Sequence, residues 1–485
     1  MRTIVAMLIG LIAASESPSV QAEEGPVTIT GSPQLFLDDL LTRKMDNLKR
    51  VIENPTKHPA NPVMVPEHPW EKRILEIYGT VLFDPADSRY KCWYLANEFK
   101  DGIPDNPEYP RTAEYYTCYA ESEDGIRWTK PFVGREPFGR HQQHNVIISG
   151  THGFCVLPTP DDPDPARRYK GAGGASYGFS PDGLVWDIRN WRDAIGKNDT
   201  STCVVRWRGE YLAYVRAQVQ DANWPGVMRG VGLSTSPDFE RWTPKETVFT
   251  TDAEDGYPWT QPYGISVTPY GDVLIGIVWL LHLDHAEGNN SLGSMDTQLI
   301  VSRDGRAWSR VAGRQLFLAP TPGTWDAGRV FPGTTMLVKE DEIRIYYTGV
   351  GTRHGEGWGS MGIGFATLPA DRFVGLVQAD AQIPGILETA PLHFTYPDLL
   401  VNASCGQDRL WIEIADSDGN VVSGFDREHC RLVRHDALRH RVVWAEGGVT
   451  RSLADLPSDQ PHVLRFVVRG GALYAFQTAP SAEAP

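Results

Sequence analysis

One seven-residue motif occurs four times and constrains the fold more than any other feature. It reads Ser122-Glu-Asp124-Gly-Ile-Arg-Trp128, Ser180-Pro-Asp182-Gly-Leu-Val-Trp186, Ser236-Pro-Asp238-Phe-Glu-Arg-Trp242 and Ser302-Arg-Asp304-Gly-Arg-Ala-Trp308. The serines recur after 58, 56 and 66 residues, and a degenerate fifth copy, from Gly364 through Asp371 to Phe373, falls where the period places it. The chemistry is that of a hairpin corner. Asp accepts hydrogen bonds from the turn's own amides, Gly supplies a positive φ, and Trp folds back over the turn. These aspartates are therefore read as turn residues and not as catalytic groups.

A repeat of this length is a supersecondary unit that buries its apolar face only against a neighbouring copy. Short runs of alternating apolar residues precede each motif, such as Ile77 to Phe83, Thr202 to Trp207, Val273 to Trp279 and Ile343 to Tyr347, and Gly, Pro and Asp turns separate them. The expectation is an all-β chain. A five-bladed β-propeller spans 71–376, closed by a strand of the N-terminal segment 23–70, with Gln34 to Leu41 or its neighbours as the candidate. After Leu376 the period stops. Short strands continue without the Asp motif, at Leu392 to Phe394, Leu399 to Ala403, Leu410 to Ala415, Val421 to Phe425, Arg441 to Glu446, Val463 to Arg469 and Ala472 to Gln477, and predict a C-terminal β-sandwich over 377–480. Residues 481–485 read as a frayed tail.

Residues 1–22 combine a basic start, an apolar run from Ile4 to Ala14 and a small-x-small ending at Ala22, the pattern of a cleaved secretory signal. A secreted or periplasmic location follows as an expectation, with no membrane insertion of the mature chain. The formal charge is −15, without an offsetting basic run, which excludes nucleic acid as a partner. The six cysteines admit two readings: pairs Cys92–Cys118 and Cys405–Cys430, or isolated buried thiols, the latter favoured for Cys155 and Cys203. No Cys or His spacing indicates a metal or another cofactor, and whether a cation sits on the axis is left open.

The innermost strands of a propeller converge on an axial funnel, so chemistry is sought where those strands begin. Glu76, Asp199 and Asp326 are the candidate catalytic carboxylates, with Glu71 as the substitute for Glu76. Trp70, Trp259, Trp325 and Trp358 are candidate sugar platforms, and His152, together with His68 and His354, can donate to a substrate. Arg329 pairs with Asp326 or binds a carboxylate or sulfate on an acidic sugar. Paired carboxylates that protonate a leaving oxygen and attack or activate water, beside aromatic faces for pyranose rings, suit glycosidic bonds.

Five repeats with this turn plus a trailing sandwich resemble the secreted five-bladed propeller glycoside hydrolases of families 32, 43, 68 and 130. The segments Leu35-Phe-Leu-Asp38-Asp39, Asn61-Pro62-Val63, Tyr90-Lys-Cys-Trp93-Tyr94 and Leu464 to Phe476 resemble bacterial proteins with a family 32-like N-terminal domain. The resemblance implies acidic residues on the first, second and third inner strands. Glu76 or Glu71 and Asp199 match the first and third by position, whereas the second offers His152. The Asn-Asp-Pro-Asn, Arg-Asp-Pro and Glu-Cys-Pro motifs of these families are absent, so fructan specificity is not implied.

The function expected is hydrolysis of an oligo- or polysaccharide by paired carboxylates in the funnel. The alternatives are a non-catalytic glycan-binding propeller and a sialidase-like hydrolase, which needs an arginine cluster that Arg329, Arg216 and Arg353 supply.

Overall fold

The computed structural model describes residues 25–481 apart from 73, 98–114, 139–140, 197, 222–223, 225, 285–291, 358, 406–408 and 432–435. The signal sequence expected over 1–22 and the candidate platform Trp358 lie outside the described residues, as do the last four residues of the tail. Among the described residues no helix is long and apolar enough to cross a membrane.

The chain is almost entirely β. Among the described residues five antiparallel strand groups, here the first to fifth sheets, follow one another with innermost strands Ile74–Asp84, Cys155–Pro158, Cys203–Trp207, Thr260–Tyr270 and Arg329–Pro332. A parallel pairing of Met295 with Arg329 joins the fourth and fifth into one nine-stranded sheet. The innermost strands meet at a buried axis of small polar side chains. Thr80 and Thr334 hydroxyls bond at 2.7 Å, Thr334 N donates to Gly79 O at 2.9 Å, and Val267 N donates to Thr334 O at 3.0 Å. Cys155 and Cys203 join this floor as thiols, the Cys203 thiol reaching Thr334 O at 3.1 Å. All six cysteines are buried, and no disulfide joins any two of them. Cys92 faces Ala120 across its hairpin while Cys118 faces Tyr94, so the register sets the two thiols on no common rung.

The repeated turns are built as their composition demands. Asp124 Oδ1 accepts from the amides of Ile126 and Arg127, both at 2.8 Å, and Ser122 Oγ accepts from Gly125 N at 2.9 Å. The Arg127 amide bond is the main cause that brings the Asp124 carboxyl down to about 2. The residue after the Asp has positive φ in all four copies, including Phe239 at 68°.

Each turn also faces an aromatic side chain of the preceding sheet. Tyr346 Oη donates to Gly125 O at 2.8 Å, Trp93 Nε1 to Gly183 O at 2.7 Å and Tyr214 Oη to Gly305 O at 2.9 Å. Phe239 packs on Tyr177 and Phe179. In the degenerate copy Asp371 itself takes the left-handed backbone and receives Tyr270 Oη at 2.6 Å. The motif therefore fastens the seams between neighbouring sheets as well as shaping turns.

The N-terminal segment divides its strands differently from the expectation. The outer strand of the fifth sheet is Thr56–Lys57, paired to Met361–Pro369. Gln34–Leu35 instead joins Ala472–Ala479, Thr42–Asp46 joins Gly385–Thr389, and Leu48–Ile52 joins Val374–Gln378. Two sheets result, one running from Cys430–Arg431 to Leu48–Ile52 and one from Thr42–Asp46 to Arg409–Ala415. They share a buried core that includes Phe36, Leu387, Trp444 and Phe466. Val421 to Phe425 forms a turn with a single bridge at Val421 and no strand.

Candidate functional site

Two interruptions of the inner strands define the axial site. Between Glu76 and Thr80 the first sheet loses register with its neighbour, as does the fourth between Pro262 and Gly264. A bulge turns the extra side chain out of the sheet, and the residues released are Tyr78 and Tyr263. Glycine is required beside each: a Cβ on Gly79 would stand 2.0 Å from the Trp93 carbonyl oxygen, and one on Gly264 2.5 Å from the Trp279 ring. Tyr78 lies against Trp279, Phe331 and His152, and Tyr263 acts on its hydroxyl electrostatically. Tyr263 Oη bonds His354 Nε2 at 3.0 Å.

Glu76 enters this group from the first inner strand. It is 4% exposed, and burial raises its carboxyl to about 7, with the Arg329 guanidinium acting in the opposite direction. A carboxyl in this range holds its proton near neutrality and can deliver it. Asp199 is exposed and paired to Arg216, Nη1 to Oδ1 at 2.9 Å. Arg216 in turn donates to Tyr263 O at 3.0 Å.

The third candidate carboxylate lies elsewhere. Asp326 is 1% exposed and holds the closing strand of the fifth sheet. It accepts from Lys57 Nζ at 2.6 Å, Thr324 Oγ1 at 2.6 Å, Tyr347 Oη at 3.0 Å and Thr321 N at 3.3 Å. Burial pushes its carboxyl up, but Lys57 and these donors bring it below the usual range. With its lone pairs occupied, it has a structural task. Glu71 is equally committed, to Tyr94, to Lys130 at 2.9 Å and to the amides of Glu67 and His68. The expected Arg329–Asp326 pair does not form. Arg329 donates to the carbonyls of Thr352 and Arg353 and lies in the field of Glu76.

The tryptophans divide similarly. Trp70 is buried, donates to Asn145 Oδ1 at 2.8 Å and stacks on His68, and Trp325 stacks on Tyr347. Trp259, 44% exposed and set edge-on to Trp224, keeps a face toward solvent. His152 sits between Tyr78 and Tyr115. Among the described residues no cluster of three or more His, Cys, Asp or Glu could hold a metal ion.

Tyr78, Tyr263 and Arg229 were absent from the sequence-derived candidates. The signal for the tyrosines was the Tyr-Gly pair inside an apolar strand, since a lone strand glycine marks a bulge or a close backbone approach.

No protein-family profile matches the chain, and no curated protein matches it. Among solved structures it is similar to a glycosyl hydrolase from Bacteroides ovatus, at 15% identity over 68% of this chain and 97% of the other, TM-score 0.44. It is also similar to a GH32 β-fructofuranosidase from Bombyx mori, at 11% identity over 94% of this chain and 95% of the other, TM-score 0.35. A third structure is described under the GH130 family, as containing glycoside hydrolases that target β-1,2 mannosidic linkages in Candida mannan, at 15% identity over 68% and 97%, TM-score 0.44.

Proposed function

We propose that this chain is an exported glycoside hydrolase in which Glu76 is the proton donor to the leaving oxygen and Asp199 the second carboxylate, acting as nucleophile or base. The observation that carries this reading is the buried carboxyl of Glu76, held near 7 on the inner strand of the first sheet. Paired glycosidase chemistry needs one carboxyl protonated and one ionised at the same pH. Burial supports the first state for Glu76, and Asp199 is exposed and ion-paired with Arg216. Tyr78, Tyr263 and His354 supply donors beside them, and Trp259 offers an exposed face for a ring. Export is supported by the pattern of residues 1–22 alone.

The test is hydrolysis of a broad panel of oligosaccharides by purified protein, by Glu76→Gln and by Asp199→Asn. Loss of turnover in both variants with retained melting temperature supports the pair. Glycan binding without turnover in the unmodified protein supports the non-catalytic alternative, which is favoured by the commitment of Asp326 and Glu71 to structural partners.

A further inference from the structure

Two guanidinium groups lie over the ring of Tyr263, and a third is within its electrostatic field. Arg216 lies on Glu210–Gln220 and Arg229 on the neighbouring Val227–Ser236, where Gln218 faces Arg229 and Arg216 faces Val231. That register sets both arginines on one face of the third sheet, as diagonal neighbours. Their guanidinium carbons stand 4.6 and 5.6 Å from the centroid of the Tyr263 ring. Arg329, from the innermost strand of the fifth sheet, is 3% exposed and lies in the fields of Glu76, Tyr263 and Tyr78. Lys245 adds a fourth cation, its Nζ bonded to Arg216 O at 3.1 Å.

The chain as a whole carries −15, so this concentration of positive charge is no by-product of a basic composition. Burial lowers the pKa of both Arg229 and Arg329, and the positive charge of Arg216 lowers that of Arg229 further. Holding like charges together away from water costs free energy, which Asp199 at Arg216 and Glu76 and Glu356 near Arg329 offset in part; an incoming anion adds to that offset. Guanidinium forks also match the paired oxygens of a carboxylate or sulfate better than any neutral hydroxyl.

We propose that the axial site selects a sugar carrying an oxyanion, either a uronate carboxylate or a sulfate ester, and that Arg229 and Arg329 bind it. The proposal rests on the hydrolytic reading of the same site and adds the class of substrate. Arg216, held by Asp199 and the Tyr263 carbonyl, is a positioning residue for the Tyr263 ring.

The experiment uses the full chain. Glucuronosyl and galacturonosyl disaccharides, their glucosyl and galactosyl counterparts, a 6-sulfated galactosyl disaccharide and inorganic phosphate alone are titrated calorimetrically, with hydrolysis of each sugar followed in parallel. At least one anionic sugar is expected to bind about tenfold or more tightly than its neutral counterpart. The uronate and sulfate arms identify which oxyanion is read. Arg229→Gln is expected to abolish the preference for the anionic sugar over its neutral counterpart. Arg329→Lys, which keeps the charge but not the fork, is expected to reduce it, and serves if the first variant fails to fold. Equal binding of charged and neutral partners, no binding of any anionic sugar, a preference surviving both substitutions, or tight binding of phosphate without discrimination among sugars overturns the proposal. Anionic preference without hydrolysis removes the catalytic reading and leaves this one standing. Hydrolysis of neutral sugars without anionic preference does the reverse.

Discussion

The hydroxyl of Tyr346, in the fifth sheet, donates to the carbonyl of Gly125, in the turn of the first sheet, at 2.8 Å across 221 residues of chain. This bond joins the first and last members of the ring, where no short loop keeps neighbours together. Both groups are buried, so Tyr346→Phe removes the shorter of two bonds to this carbonyl and leaves it the one from Trp128 Nε1 at 3.2 Å. The expected loss is about 1–2 kcal/mol of unfolding free energy, measured by denaturant titration, with kcat unchanged.

Asp326 and Glu76 are both buried carboxyls near inner strands, yet opposite outcomes are expected of them. Asp326→Asn strands Lys57 and weakens the attachment of Thr56–Lys57 to the fifth sheet. The cost expected is about 3 kcal/mol, read as a lowered melting temperature, while turnover per folded molecule persists. A variant that keeps its stability and loses turnover would place Asp326 back among the catalytic groups.

Glu76 makes stability depend on pH in a defined direction. Its folded value of about 7 lies above the ordinary 4.5, so the folded chain binds its proton more tightly than the unfolded chain does. The contribution is therefore most favourable at low pH, declines as pH rises above 4.5, and reaches its full penalty above about 7. Glu76→Gln removes this dependence. The difference in unfolding free energy between variant and unmodified protein should shift toward the variant by up to about 3 kcal/mol between pH 4 and pH 8. A difference that does not change with pH contradicts the burial of a titrating carboxyl.

Gly79 lets Tyr78 leave the sheet. A methyl at this position meets the Trp93 carbonyl oxygen at 2.0 Å, a backbone atom that cannot step aside. Gly79→Ala is expected to destabilise by about 2 kcal/mol or more and to raise KM through the displaced tyrosine, measured by melting and by steady-state kinetics. A neutral substitution would show that the bulge is not needed.

The repeated turns were legible in the sequence because every part of their chemistry is local: Ser, Asp, the positive-φ residue and Trp lie within seven positions. The closing strand was not. Thr56–Lys57 is two residues long and has no periodicity of its own, and Gln34–Leu35 finds its partner more than 400 residues away, so only the assembled sheets assign them. Glu76 and Asp199 were candidates because of their place at strand starts. Asp326 has the same kind of address, but its role is set by Lys57 and Tyr347, which approach from distant segments. Tyr78 and Tyr263 were hidden by the assumption of regular alternation, which a bulge breaks. Arg229 sits on a third strand, outside the set of inner-strand positions searched.

The catalytic assignment turns on Glu76 more than on any other residue. Hydrolysis of the oligosaccharide panel by the unmodified protein and by Glu76→Gln, at pH 6 with melting temperatures measured alongside, tests it most directly. The account predicts turnover of at least one glycan and a fall in kcat of about 10²–10⁴-fold in the variant, with the melting temperature retained. A folded Glu76→Gln protein that hydrolyses the same glycan at the unmodified rate would contradict it.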